Sequence, residues 1–294
     1  MRHGRADGPR RARAPRRRDH GARGRAALPG APAPAAGVAP VSALALEGVE
    51  LALGGRAVLR GASLALAPGE LVGLVGRNGA GKTSLLRVAS GVVRPDRGVV
   101  RLGGDALDGL PRREVARRLA VVAQDSATSF AFSVGEVVLM GRSPHLGLLG
   151  FESARDRSIA DAALARLGIA ELGPRSVLEL SGGERQLVMV ARALAQEASV
   201  LLLDEPTAHL DLAHQLQVLG LARALAREGR AVLAVSHDLS LLARFCDRLA
   251  LLAEGRVEAG PAAALLSPER VRAGFGVDIE LLRTPAGELL VIPR

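Results

Sequence analysis

Apolar positions fall into two kinds of run along this chain. ELVGLVG (70–76), the VLLL that opens VLLLDEPT (200–207) and AVLAVS (231–236) are short, unbroken and β-rich, and they predict buried strands. KTSLLRVAS (82–90), LVMVARALAQ (187–196) and LLARFCDR (241–248) space their apolar residues at helical intervals and predict helices. The C-terminal stretch FGVDIELLRTPAGELLVIPR (275–294) predicts two strands around a Pro-Ala-Gly turn. Strands and helices thus share one chain, which predicts the α/β class.

The N-terminal part breaks this pattern. LPGAPAPAAGVAP (28–40) has no periodicity with which to build a core, and residues 1–40 predict a disordered basic, Pro- and Ala-rich tail. Residues 1–25 carry ten Arg against Asp7 and Asp19, so nearly all of the net charge of +9 lies there. The tail reads as a basic arm for nucleic acid or anionic lipid, or as the product of an over-extended start codon; interleaved aromatics are missing. RRRDHGARGR is not followed by an apolar signal core, so export is not expected. Residues 41–294 suffice for one large α/β domain or two small ones. They contain no internal repeat and no apolar run of about 18 residues, the length a membrane span needs. The one cysteine, Cys246, excludes an internal disulfide, fits a reducing compartment and is expected as a packed thiol.

One residue type is distributed unusually. Of 39 basic residues, Lys82 is the sole lysine. It lies in G-x-x-x-x-G-K-T, formed by Gly76, Arg77, Asn78, Gly79, Ala80, Gly81, Lys82 and Thr83 and followed by Ser84, between a predicted strand and a predicted helix. Glycines there let backbone amides turn toward phosphate oxygens, and the helix start adds its positive dipole end. A lysine ammonium is a compact point charge able to thread such a loop to the β- and γ-phosphates, whereas a planar guanidinium is too broad. Farther on, the strand at 200–203 ends in Asp204 and Glu205. In P-loop proteins the first acid helps hold Mg²⁺ together with the loop Thr, here Thr83. Glu205 is placed to orient or deprotonate an attacking water.

LSGGERQ (180–186) opens a second helix: Ser181 suits an N-cap, and Gly182 and Gly183 leave the first amides uncovered for an anion. The order P-loop, LSGGE, LLLDEP, AVSHD resembles the ATP-binding-cassette (ABC) ATPases over about residues 41–294. The resemblance implies an ABC P-loop fold with an antiparallel β portion, an inserted helical subdomain near 125–185 and a C-terminal β extension near 270–294. It implies ATP and Mg²⁺ as ligands, with Gln124 touching Mg²⁺ and the attacking water and His237 contacting the γ-phosphate. It further implies head-to-tail pairing of two cassettes. Ser181, Gly182, Gly183 and Glu184 of one subunit then complete the nucleotide site of the other, and Asp211 crosses the interface. Where family members place an aromatic against adenine, this chain has Leu53, in LALGGRAVL (51–59), which covers a base face without stacking on it. His145, His209 and His214 have no such support as catalysts.

The chain lacks the membrane helices of a fused exporter, the second cassette of a ribosome-acting factor and the long insert or zinc cysteines of a DNA-repair protein. FAFSVGEVVLMGRSPHLGLLGF (130–151) is similar to cassettes of iron–siderophore, haem and cobalamin importers, in which V-x-x-GR-x-PH recurs. That likeness implies an ATPase on the cytoplasmic face of the inner membrane, docked on transmembrane permease subunits and served indirectly by a substrate-binding protein. Phe130, Phe132 and Phe151 fit either a docking groove or the core of the helical subdomain. The other reading is a soluble ABC ATPase acting on nucleic acid through the basic tail; for the importer, nucleic acid is not an expected partner.

Overall fold

The computed structural model describes residues 42–124, 131–147, 150–208, 210–284 and 289–294. The tail at 1–40, the stretch 125–130 with Phe130, His209 and the Pro-Ala-Gly turn fall outside them. The chain opens with two long antiparallel strands, β1 (Leu44–Leu53) and β2 (Arg56–Leu66). The buried strand β3 (Leu71–Val75) then feeds helix α1 (Lys82–Ala89). Next come β4 (Arg97–Leu102), β5 (Asp105–Ala106), α2 (Arg112–Arg118) and β6 (Leu119–Val122). A helical stretch holds α3 (Val134–Leu139), a 3₁₀ turn (Met140–His145), α4 (Ala154–Arg166) and α5 (Gly182–Ala195). The chain returns to the sheet with β7 (Val200–Asp204), α6 (Leu212–Arg227), β8 (Ala231–Val235), α7 (Leu239–Phe245), β9 (Arg248–Ala253) and β10 (Arg256–Gly260). It closes with α8 (Ala262–Leu265), α9 (Pro268–Phe275) and a hairpin of β11 (Ile279–Arg283) and β12 (Leu289–Pro293).

The central sheet runs β10-β9-β3-β8-β7-β6, parallel throughout except for the β10 edge. Burial on both faces explains why its strands read as unbroken apolar runs. Alternate residues serve different cores. Leu201, Leu203, Val232 and Ala234 face the helices α5 and α6. Val200, Leu202, Leu233 and Val235 face α1 and the second sheet, β2-β1-β4-β5, which is antiparallel. The α/β class with an antiparallel portion is therefore the observed one. The C-terminal extension is not all β: Pro268–Phe275 is a helix, N-capped by Ser267, and the hairpin begins only at Ile279. Cys246 ends α7 in extended conformation rather than continuing it; its thiol packs beside Gly73, and burial pushes its pKa up to about 12.

The GRSPH segment is turned inward. The buried Arg142 guanidinium donates to Asp156 Oδ1 at 3.0 Å, Glu197 Oε2 at 2.7 Å and the Ala195 carbonyl at 2.7 Å. It thereby ties the 3₁₀ turn to the start of α4 and the end of α5. Gly141 sits so close that a Cβ there would lie 2.2 Å from the Arg192 carbonyl oxygen. His145 Nε2 meets the Gln196 carbonyl at 2.9 Å, and Arg113 and Arg117 of α2 each donate to the Pro144 carbonyl at 2.9 Å. Phe132 and Phe151 stay exposed on either side, Phe151 at 80%.

Removing Arg142 leaves the largely buried Asp156 carboxylate without its charge partner, while the half-exposed Glu197 can turn to water, so Arg142→Met is expected to cost about 3 kcal/mol in urea denaturation. Hydrogen bonds from the Ser153 hydroxyl and amide, and then from Arg142, hold the Asp156 carboxyl at about 2, below its ordinary 3.8. A lowered carboxyl pKa stabilises the fold above the unfolded-state value, and that contribution is lost as pH falls through about 2. Asp156→Asn should accordingly flatten the acid limb of the stability profile below about pH 4.

Candidate functional site

The parallel sheet presents the C-terminal ends of β3, β7 and β8 along one edge, where ligands collect in open α/β sheets. From β3 the chain enters the loop Gly76–Gly81. A Cβ on Gly76 would stand 2.5 Å from the Leu252 carbonyl oxygen, so only glycine lets the loop leave the sheet this way. Gly81, at φ 104°, caps α1 in left-handed conformation, and a Cβ there would meet Val58 Cγ1 of β2 at 2.8 Å. These two contacts bring the loop backbone down around an open centre.

Lys82 opens α1 and is buried, at 7% exposure. Its Nζ donates to the Gly76 carbonyl at 2.8 Å and to the Arg77 carbonyl at 3.2 Å, curling back over the loop. Burial lowers its pKa, against the raising fields of Glu205 and Asp204. Asp204, at the end of β7, is 6% exposed, and burial raises its carboxyl pKa although Thr83 hydrogen-bonds to it. Both shifts have one cause: charges are held here with less compensation than water gives. A ligand bringing several negative charges and a divalent cation would supply it.

Glu205 follows in left-handed conformation, φ 49°, unusual for a non-glycine residue and directly before Pro206. Such a turn costs on the order of 1 kcal/mol or more and persists only where its surroundings enforce it. Here the Glu205 amide donates to the Val235 carbonyl at 3.1 Å, extending the β7–β8 ladder. The carboxylate receives a hydrogen bond from Gln124 Nε2 at 3.0 Å on one oxygen, and His237 Nδ1 lies 3.8 Å from the other. Val58, Asn78, Gly81, Thr83 and Ser84 line the same cleft as Lys82, Gln124, Glu205 and His237.

The remaining candidates lie elsewhere. Ser181 caps α5 through a capping box: its hydroxyl accepts from the Glu184 amide at 3.2 Å and its own amide donates to Glu184 Oε2 at 2.8 Å. Glu184 is thus folded onto the cap, its pKa lowered by those bonds, while the amides of Gly182 and Gly183 remain outside the helix ladder. Asp211 caps α6, accepting from the His214 amide at 2.9 Å and meeting His214 Nδ1 at 2.8 Å. None of residues 181–184 or 211 lines the cleft around Lys82. Leu53 ends β1 opposite Arg56 and is 47% exposed; the apolar residue that does line the cleft is Val58. Nothing local in the sequence marks Val58, since its position depends on the bare Gly81. Arg87, whose field reaches Asp204, had no signal to separate it from the other arginines.

A glycine cradle with one buried ammonium and a strand-end acid pair defines a P-loop nucleotide-binding protein. Residues 59–208 match the family described as ABC transporter. The chain is 47% identical over 85% of its length to the hemin import ATP-binding protein HmuV of Gloeobacter violaceus, covering 94% of that protein. It is 46% identical, again over 85% of its length, to the cobalamin import ATP-binding protein BtuD of Halobacterium salinarum, of whose length it spans 63%. A solved inward-facing ABC transporter described as of metal-chelate type superposes with a TM-score of 0.75 at 28% identity, over 86% of this chain and 98% of that one. CbiO1 of Clostridium perfringens, part of the ABC transporter complex cbiONQ, gives 0.68 at 27% identity over 79% and 93%. This chain belongs to the ABC transporter family.

Lys82→Arg tests the loop geometry. Charge is kept, but a fork-shaped head must fit where a narrow ammonium now reaches two carbonyls. Equilibrium titration with a fluorescent ATP analogue should show at least about tenfold weaker binding, equivalent to about 1.4 kcal/mol; unchanged affinity would contradict the assignment.

Proposed function

We propose that this protein is the ATP-hydrolysing subunit of a multi-subunit importer for an iron–siderophore, haem or cobalamin. The observation that carries the reading is the cleft in which Lys82, Gln124, Glu205 and His237 converge while Ser181 and Asp211 stand outside it. On this reading the cleft is half of a nucleotide site, and the helix start at Ser181, which does not line it, is the other half. A head-to-tail homodimer brings Ser181, Gly182 and Gly183 of one copy over the P-loop of the other. The haem and cobalamin import proteins among the relatives support import rather than action on nucleic acid.

In this reading the loop amides and Lys82 bind the β- and γ-phosphates, and Lys82 exchanges its loop carbonyls for phosphate oxygens. Thr83, Asp204 and Gln124 offer hard oxygen donors with a single carboxylate, a set that would hold Mg²⁺. When bound, Mg²⁺ neutralises charge on the phosphates. Glu205, aimed by its left-handed turn and by Gln124, orients the attacking water and accepts its proton. His237 contacts the γ-phosphate, and Leu53 or Val58 covers the base. The 130–151 segment, whose Phe132 and Phe151 are exposed, docks on the permease at the cytoplasmic face of the membrane, with a substrate-binding protein acting from the far side. Arg142 fixes this segment to α5, so a load on it reaches the Ser181 end of that helix.

Glu205→Gln should still bind ATP but hydrolyse it on the order of 100-fold more slowly, accumulating as a nucleotide-bound dimer in size-exclusion chromatography. Ser181→Arg and Lys82→Arg should each inactivate a homodimer. Mixing the two leaves one site with both defects and one with neither, so partial recovery of phosphate release is expected. Absence of any recovery would count against a shared site.

A further inference from the structure

His237 lines the cleft with a largely open side chain, 69% exposed. It sits in a three-residue link between β8 and α7, so what fixes the start of α7 fixes the histidine. Inside the link, the Asp238 amide donates to Ser236 Oγ at 3.1 Å, and Asp238 caps α7 through the Leu241 amide at 2.9 Å. Three residues beyond His237, the first turn of α7 is tied to a distant part of the chain. Ser240 Oγ donates to the Val291 carbonyl at 3.1 Å and accepts from the Val291 amide at 3.2 Å.

Val291 lies in β12, the last strand, opposite Leu281 in β11. Its amide and carbonyl point outward from the hairpin, where an edge strand leaves such groups without a ladder partner. One serine hydroxyl satisfies both. The inner face of the hairpin, Ile279, Leu281, Leu289 and Val291, packs on the same apolar core as Leu242 of α7. Val291, Ile279 and Phe275 line one wall of a groove whose other wall carries Ser236, His237 and Asp238. The hairpin therefore reaches the histidine link through a polar tie and a packed floor.

We infer that Ser240 is a positioning residue for His237, and that the C-terminal hairpin, through Val291, is the abutment against which it works. The inference rests on the proposed ATPase reading for its kinetic consequence, whereas the positioning itself is independent of catalysis. Ser240→Ala leaves two edge groups of Val291 unpaired and frees the first turn of α7. Histidine contact with the γ-phosphate belongs to turnover more than to nucleotide binding, so kcat should fall and KM for ATP should hold.

The test uses the full chain. Ser240→Ala is expected to lower kcat about fivefold, with KM within about twofold of wild type, as expected for an interaction made chiefly in the transition state. Ser240→Thr, which keeps the hydroxyl, should recover kcat to within about twofold. Val291→Pro removes the amide from the hairpin side; it should reproduce the loss, and combining it with Ser240→Ala should add little. A second readout needs no turnover: the His237 ring signal in NMR, assigned by its disappearance in His237→Gln, should shift in Ser240→Ala and return in Ser240→Thr. Wild-type kcat together with an unmoved His237 signal in Ser240→Ala would overturn the inference, as would a kcat loss that Ser240→Thr does not rescue. If wild-type protein releases no phosphate from ATP, the ATPase reading fails, and the ring signal alone then decides the positioning role.

Discussion

A buried ammonium resting on the carbonyls of its own loop is the constraint around which this structure is arranged. Lys82 Nζ reaches the Gly76 carbonyl at 2.8 Å inside a loop that neither Gly76 nor Gly81 could form with a Cβ. Carbonyl dipoles compensate an ammonium only in part, and its lowered pKa reflects that. The cost is borne by the two apolar cores beneath it. Leu74 and Val75 carry β3 to the loop, Leu85 and Val88 seat α1, and the parallel register aligns Asp204 with Val235 so that both acids end at the same edge. In the proposed function, nucleotide phosphates are the complementary charge for this arrangement.

The same economy explains Glu205. A carboxylate at a strand end would ordinarily turn to solvent. The left-handed turn before Pro206, held by the Val235 carbonyl, turns it instead toward Gln124 and His237. Three segments far apart in sequence thus meet on one side chain, and each is anchored separately. Gln124 follows β6, His237 follows β8, and the His237 link is further tied through Ser240 to the last strand of the chain.

What was legible in the sequence follows from how local each determinant is. β3, β7 and β8 were readable because strands buried on both faces need continuous apolar runs. The P-loop was readable because its glycines and lysine act within a few residues of each other. The helix at 268–275 was not separated from the hairpin, although Ser267 and Pro268 mark its start. Arg142 looks like any other arginine, since its partners at Ala195 and Glu197 lie more than fifty residues away. Val58 lines the cleft through a Gly81 contact that no local pattern carries. The proposed pairing of Ser181 with the cleft of a second copy comes from resemblance alone, because Ser181 and Lys82 are both sound helix starts when read separately.

Because Lys82 is the sole lysine of the chain, a lysine labelled with ¹³C at Cε gives one protein signal that needs no assignment. Following that signal against pH, with and without ATP, measures the central interaction directly. Without nucleotide it should titrate below the ordinary value of 10.5, because burial disfavours the charged form. With ATP bound its titration should move upward as phosphate replaces the loop carbonyls. A signal that titrates as a free lysine and ignores ATP would contradict the account.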